Sequence, residues 1–110
     1  MEKLLWYLLA GTRGGYNRLR ILDALESRPA NAHQLAVELH LDYRTVCHHL
    51  DLLLGNHVLV NPRVEAYGSV YFLNPWLEGH PELLERIRVH VVRERSGKVS
   101  DEILAKRQVG

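Results

Sequence analysis

The sequence predicts an α+β fold that is mainly α, and three observations carry the prediction. Apolar residues recur at helical spacing over most of the chain. One region, HVLVNPRV followed by SVYFLN, switches to β-branched and aromatic residues on either side of EAYG. Gly, Pro, Asn and Asp stand at the junctions between these stretches. At 110 residues the chain is one domain's worth, and 46% hydrophobic with 25% charged residues is the mix of a folded chain.

The elements follow in order. MEKLLWYLLAG places Leu4, Leu5, Leu8 and Leu9 on one helical face, flanked by Trp6 and Tyr7. Its apolar run is too short to span a bilayer, and Glu2 spoils the positive leader of a signal peptide, so it is expected to be a packing helix. Past a break at Gly11 to Gly15, YNRLRILDALESR carries Leu19, Ile21, Leu22 and Leu25 and is stopped by Pro29. NAHQLAVELH then offers Asn31 as an N-cap with Gln34 at the capping-box position, and Leu35, Ala36 and Leu39 on one face. A very short connection, His40-Leu41, leads to Asp42, which caps a helix through Leu54 that Gly55 and Asn56 end.

The strands come next, as a hairpin with Pro62 at an edge or bulge. After Pro75, HPELLERIRVHVVRER restores the helical period, with Leu84, Ile87 and Val91 along one stripe. SGKVSDEILAKRQVG opens on a Ser-Gly break and is expected to form a short helix or to stay mobile. The expected division is a domain over 1–96, holding a helix-turn-helix at about 31–54, a wing hairpin at about 57–73 and a terminal helix at about 80–96, followed by a tail over 97–110. Two helices joined by a short turn, with a hairpin after the second, form a winged helix-turn-helix.

The run Cys47-His48-His49 invites a metal or a nucleophile-base reading, and helix geometry excludes both as local sites. Consecutive helical residues point about 100° apart, so the triplet fans around the helix and cannot close on one ion. With Val46, Leu50, Leu53 and Leu54 facing the core, Arg44, His48 and Asp51 lie opposite, flanked by Thr45 and Leu52. Cys47 and His49 fall on the two borders, a small half-buried hydrophobe and a histidine bonded to a neighbouring element. No catalytic constellation is visible, so an enzyme is not expected, and no metal or other cofactor is implied. A lone cysteine cannot form an internal disulfide and makes the reducing cytoplasm the default compartment.

The outward face has a specific use. A helix of this kind enters the major groove with its N-terminal residues at base edges, where arginine pairs with guanine and threonine meets either a polar edge or the thymine methyl. Arg44, Thr45 and His48 are the expected base readers, and Tyr43 is placed to reach a phosphate. The formal net charge of +1 gives no bulk signal for nucleic acid. Between His40 and Pro75, Arg44 and Arg63 stand against Asp42, Asp51 and Glu65, so the reading head is not basic. Positive charge lies instead at Arg13, Arg18, Arg20 and Arg28, and at Arg86, Arg88, Arg93, Arg95 and Lys98, some of it available to phosphates.

The runs NRLRILDAL and QLAVELHL followed by DYRTVCHHLDLL resemble the ArsR-like winged helix-turn-helix transcription regulators. Leu35, Ala36, Leu39, Leu41, Thr45, Val46, His49, Leu50 and Leu53 fall in register with that family's pattern, over roughly residues 17 to 72. Cys47 stands where the family usually has serine, and His40 and His57 stand where glycine is common, positions that histidine tolerates better than most residues. The cysteine pair of the family's arsenic and cadmium sensors is absent from LAVELHL. Glu78, His80, His90 and Glu94 are similar in kind, but not in spacing, to the ligands of its zinc and nickel sensors.

The resemblance implies a sequence-specific regulator of repressor type that binds double-stranded DNA as a homodimer on a palindromic operator, in the cytoplasm and away from membranes. Arg44, Thr45 and His48 would read bases, Tyr43 and Arg18 would hold phosphates, and Arg63 and Tyr67 would act from the wing. Leu4, Leu5, Leu8, Leu84, Ile87 and Val91 are the expected dimer interface. Two alternatives share the fold: a winged-helix protein-protein interaction module of the transcription machinery, which an exposed Trp76 and Leu52 would favour, and a metal-responsive repressor.

Overall fold

A computed structural model describes residues 1–62 and 69–109, with side chains as far as residue 97. The elements are α1 (Glu2–Ala10), α2 (Gly15–Ser27), β1 (Ala30–Asn31), α3 (Ala32–Leu39), α4 (Tyr43–Gly55), β2 (Leu59–Val60), β3 (Val70–Leu73), α5 (Pro75–Glu78) and α6 (Pro81–Val109). The expected mainly helical winged helix-turn-helix is the observed one.

The strands form a sheet of order β1-β3-β2, antiparallel throughout. Leu59 pairs with Leu73 and Val60 with Phe72, the hairpin read from the β-branched runs. β1 is an addition: Ala30 pairs with Tyr71 and Asn31 with Val70, so Asn31 ends a strand and caps a helix at once. The capping box is complete, because the Gln34 amide donates to Asn31 Oδ1 at 2.8 Å and Asn31 N–H donates to Gln34 Oε1 at 2.9 Å. α5 is also an addition. Asn74 caps it by accepting from Trp76 N–H, and its own amide donates to the His57 carbonyl, tying the sheet exit to the turn after α4.

The turn of the helix-turn-helix closes at His40, which takes the left-handed conformation with φ 55° and ψ 44°. His57 likewise has φ 62°. These are the two histidines that stand where glycine is common. The left-handed region strains most L-residues by roughly 1–2 kcal/mol, and histidine is among the side chains enriched there.

The core is one cluster drawn from every helix and strand named above. Two expectations are corrected here. Leu5, Leu8, Leu84, Ile87 and Val91, read as dimer-interface residues, are at most 6% exposed within a single chain, and Leu4 is half-buried. They form the seam where α1 packs on α6 and on α2. A fully buried Leu or Ile stabilises by roughly 1.5–3 kcal/mol, so a domain this small uses its helical stripes on its own core first. The second correction concerns the tail. α6 continues through Ser96 and Gly97 to Val109 instead of breaking near residue 96. A helix-interior glycine costs only about 1 kcal/mol, which the surrounding good helix formers offset.

Among the described residues no helix is long and apolar enough to cross a membrane.

Candidate nucleic-acid interface

α4 is positioned by a capped start and a buried face. The Asp42 carboxylate accepts from Thr45 N–H at 3.2 Å, as its place before the helix predicts. Val46, Leu50 and Leu53 are fully buried and lock the inner face against the core. Around the outer face of the first two turns, Tyr43, Arg44, Thr45 and His48 are all accessible, and Asp51 joins them. The structure thus brings together the four α4 residues singled out from the sequence, beside a positive helix end that favours anions. Arg63 and Tyr67, assigned to the wing, lie outside the described residues.

The Cys47-His48-His49 run divides three ways. The His48 ring centre lies 5.9 Å from that of His49 at a tilt of 57°. Cys47 is half-buried on the opposite border, one helical turn from Tyr43. The neighbouring Cys47 thiol, more than burial, holds the Tyr43 phenol above its ordinary value. Tyr71 of β3 closes the same corner; burial first, then Asp51 and Cys47, push its phenol up as well. Among the described residues no three His, Cys, Asp or Glu side chains gather as a metal site.

His49 turns inward, only 6% exposed, to meet a residue expected on DNA. Arg18 is 4% exposed and cannot hold a phosphate where it stands; that expectation is corrected. Its Nε donates to the Leu8 carbonyl at 2.9 Å, its Nη2 to Thr12 Oγ1, and its Nη1 lies 3.2 Å from His49 Nδ1. Arginine has no acceptor, so Nδ1 accepts and His49 is the neutral tautomer with its proton on Nε2. One guanidinium therefore joins the end of α1, the α1–α2 turn and α4. Burial lowers the Arg18 pKa without discharging it, and the same burial, then Arg18, then His48, lower that of His49.

Sequence reasoning missed three positioning residues. Arg20, which reads in the sequence only as positive charge, donates to the Leu39 carbonyl at 2.7 Å and to Asn17 Oδ1 at 3.1 Å, closing the last turn of α3. A signal for this was present: residues two apart on a helix point about 200° apart, so Arg18 and Arg20 could not serve one surface. The others are Gly14 and Gly15, which read only as a break. A Cβ on Gly14 would stand 2.5 Å from Arg18 Nη1 and 2.8 Å from His49 Cε1, and one on Gly15 would stand 2.2 Å from the Leu9 carbonyl oxygen. Both are glycines because other groups approach the backbone closely.

The capped, outward-facing second helix, its short left-handed turn and the small antiparallel sheet define a winged helix-turn-helix fold. Residues 16–55 match the family model described as bacterial regulatory protein, arsR family, a span running from the start of α2 to the last residue of α4. Over those residues the chain is similar to the helix-turn-helix of that family. No curated protein matches the chain at a significant level.

Proposed function

We propose that the protein is a sequence-specific, cytoplasmic DNA-binding regulator of repressor type that acts as a homodimer on a palindromic site. The observation that carries this reading is the face of α4: Arg44, Thr45 and His48 stand on the outer side of its first two turns, with Tyr43 at 53% exposure beside them. Arg44 pairs with guanine, Thr45 and His48 meet neighbouring base edges, and Tyr43 reaches a phosphate. Arg63 and Tyr67 contribute backbone contacts from the wing.

The dimer uses surface that the core leaves free. On the outer side of α1, Tyr7 is 61% exposed, and on α6 Val89 and Val92 are 38% and 49% exposed. The two valines are three residues apart and share a face. A two-fold dimer sets its recognition helices about 34 Å apart, one turn of DNA.

Fluorescence anisotropy on the upstream region of the protein's own gene and on a shuffled duplex, each over a salt series, tests the reading. Selective binding with a steep salt slope is expected, and Arg44→Ala should cost about 1–3 kcal/mol on the selected duplex. Equal, weak binding to both duplexes would sink it.

One observation favours a second reading, a protein-interaction module. Trp76 is 42% exposed, stacked on His80 with ring centres 4.2 Å apart. Under that reading Arg44→Ala leaves function intact and Trp76→Ala removes it.

A further inference from the structure

A cavity of about 220 Å3 lies between the end of α1, the start of α2 and the middle of α6. Its wall is mixed. Leu9 and Val91 supply apolar surface, and Arg13, Arg95, Glu94 and His90 supply charge and hydrogen bonds. Arg95 is fixed in an unusual way: its guanidinium carbon sits 3.6 Å from the centre of the Tyr16 ring. Stacking on an aromatic face leaves the N–H edge of a guanidinium free in its plane, the edge that binds a carboxylate bidentately. Among the described residues, two other arginines of α6 differ: Arg86 is paired with Glu2, and Arg88 with Asp23, Glu26 and Glu85. Neither Arg13 nor Arg95 has a carboxylate partner among those residues.

We propose that this cavity binds a small organic monocarboxylate, its carboxylate held by Arg13 and Arg95 and its apolar body against Leu9 and Val91. The volume is below the roughly 300–1,000 Å3 of sites for drug-sized ligands, so the occupant is a single ring or a short chain. Glu94 on the same wall repels a second negative charge and selects against dianions.

The site is wired to the recognition helix. Thr12 lines the cavity and also donates to the Leu8 carbonyl at 3.1 Å while accepting from Arg18, which reaches His49 of α4. A ligand that draws Arg13 inward moves the turn that holds Thr12, and the shift passes through Arg18 to α4. Occupancy therefore weakens DNA binding. This coupling rests on the regulator reading, whereas the site itself does not.

The test is calorimetric titration of the full chain with benzoate, benzamide and phthalate. Benzoate should bind saturably, and the neutral and doubly charged analogues at least about tenfold more weakly. Arg95→Gln, an exposed change that spares the core, should weaken benzoate at least about tenfold at unchanged melting temperature. No heat with benzoate, equal binding of benzamide, or an unaffected Arg95→Gln protein would overturn the site; so would a solution structure showing the partner subunit's side chains filling the cavity. For the coupling, saturating benzoate should lower DNA affinity at least about fivefold, and His49→Leu, which changes no residue of the cavity wall, should keep benzoate binding while losing that shift. Benzoate binding without any effect on DNA affinity would overturn the coupling. A chain that binds no DNA at all removes the regulator reading, while the benzoate titration still decides the cavity.

Discussion

Arg18 Nη1 lies 3.2 Å from His49 Nδ1, both side chains all but fully buried, and this contact ties α4 to the N-terminal part of the chain. Removing either partner leaves a buried polar group without its bond, which costs more than a net hydrogen bond contributes. Arg18→Leu leaves His49 Nδ1 without its donor and takes one donor each from the Leu8 carbonyl and Thr12 Oγ1, which keep only their bond to each other. It should lower stability by about 2–4 kcal/mol, read as the shift in a urea unfolding midpoint. A loss under about 0.5 kcal/mol, the range of ordinary surface substitutions, would show that the network contributes little.

The same contact makes stability depend on pH. His49 is held below its ordinary value by burial first, then by Arg18 and His48, while in the unfolded chain it titrates near 6.5. Between the two values the unfolded chain carries the proton and the native chain does not, so stability rises with pH there. The contribution is whole above about 6.5 and is lost progressively as pH falls toward the native value. Protonation would also turn Nδ1 into a donor facing the Arg18 donor. His49→Gln, whose amide oxygen can still accept from arginine, should flatten this component. Urea unfolding of both proteins over about pH 5–8 isolates it; a constant difference between them at every pH would remove the linkage.

Two glycines should respond oppositely to alanine. Gly15→Ala drives a Cβ into the Leu9 carbonyl, a backbone group that cannot swing away, and should cost about 1–3 kcal/mol. Gly55, the last residue of α4, has no atom within 4 Å of a built Cβ, so Gly55→Ala should stabilise by a few tenths to about 1 kcal/mol. Thermal unfolding of the pair reads both signs in one experiment.

The helix-turn-helix turn makes a graded prediction. His40 is exposed and left-handed, so His40→Gly should be neutral or stabilising by up to about 1 kcal/mol. His40→Val places a β-branched side chain at φ 55° and should destabilise by about 1–2 kcal/mol. A valine variant as stable as the parent would mean the turn relaxes to another conformation.

Much of this fold is local chemistry and was legible residue by residue. Asn31 with Gln34, and Asp42 before Tyr43, announce two helix starts, because an N-cap is a side-chain-to-backbone bond within a few positions. The β2–β3 pairing follows from β-branched runs, and the outward set Tyr43, Arg44, Thr45 and His48 from helical periodicity once Val46 is placed inward. Six of the seven histidines, an excess for this length, divide among unrelated duties. His40 and His57 hold left-handed turns, His49 is buried on Arg18, His80 stacks on Trp76 and His90 packs on the Trp6 ring, while His48 faces outward.

The sequence by itself determined the four N-terminal helices, the caps of α3 and α4, the β2–β3 pairing and the outward face of α4, since each is written in spacings of a few residues. Only the tertiary structure decided the use of side chains whose partners are distant in the chain. Arg18 and Arg20 read as surface charge, yet one reaches His49, 31 positions away, and the other Leu39, 19 positions away. Leu5 and Leu84 read as a dimer stripe, yet they close the core of one chain. An apolar or charged residue carries the same local signal whether it meets its own chain, a second copy or a phosphate. The choice is made by which groups the fold brings within hydrogen-bonding or van der Waals distance, and by the cost of leaving a buried one unpaired.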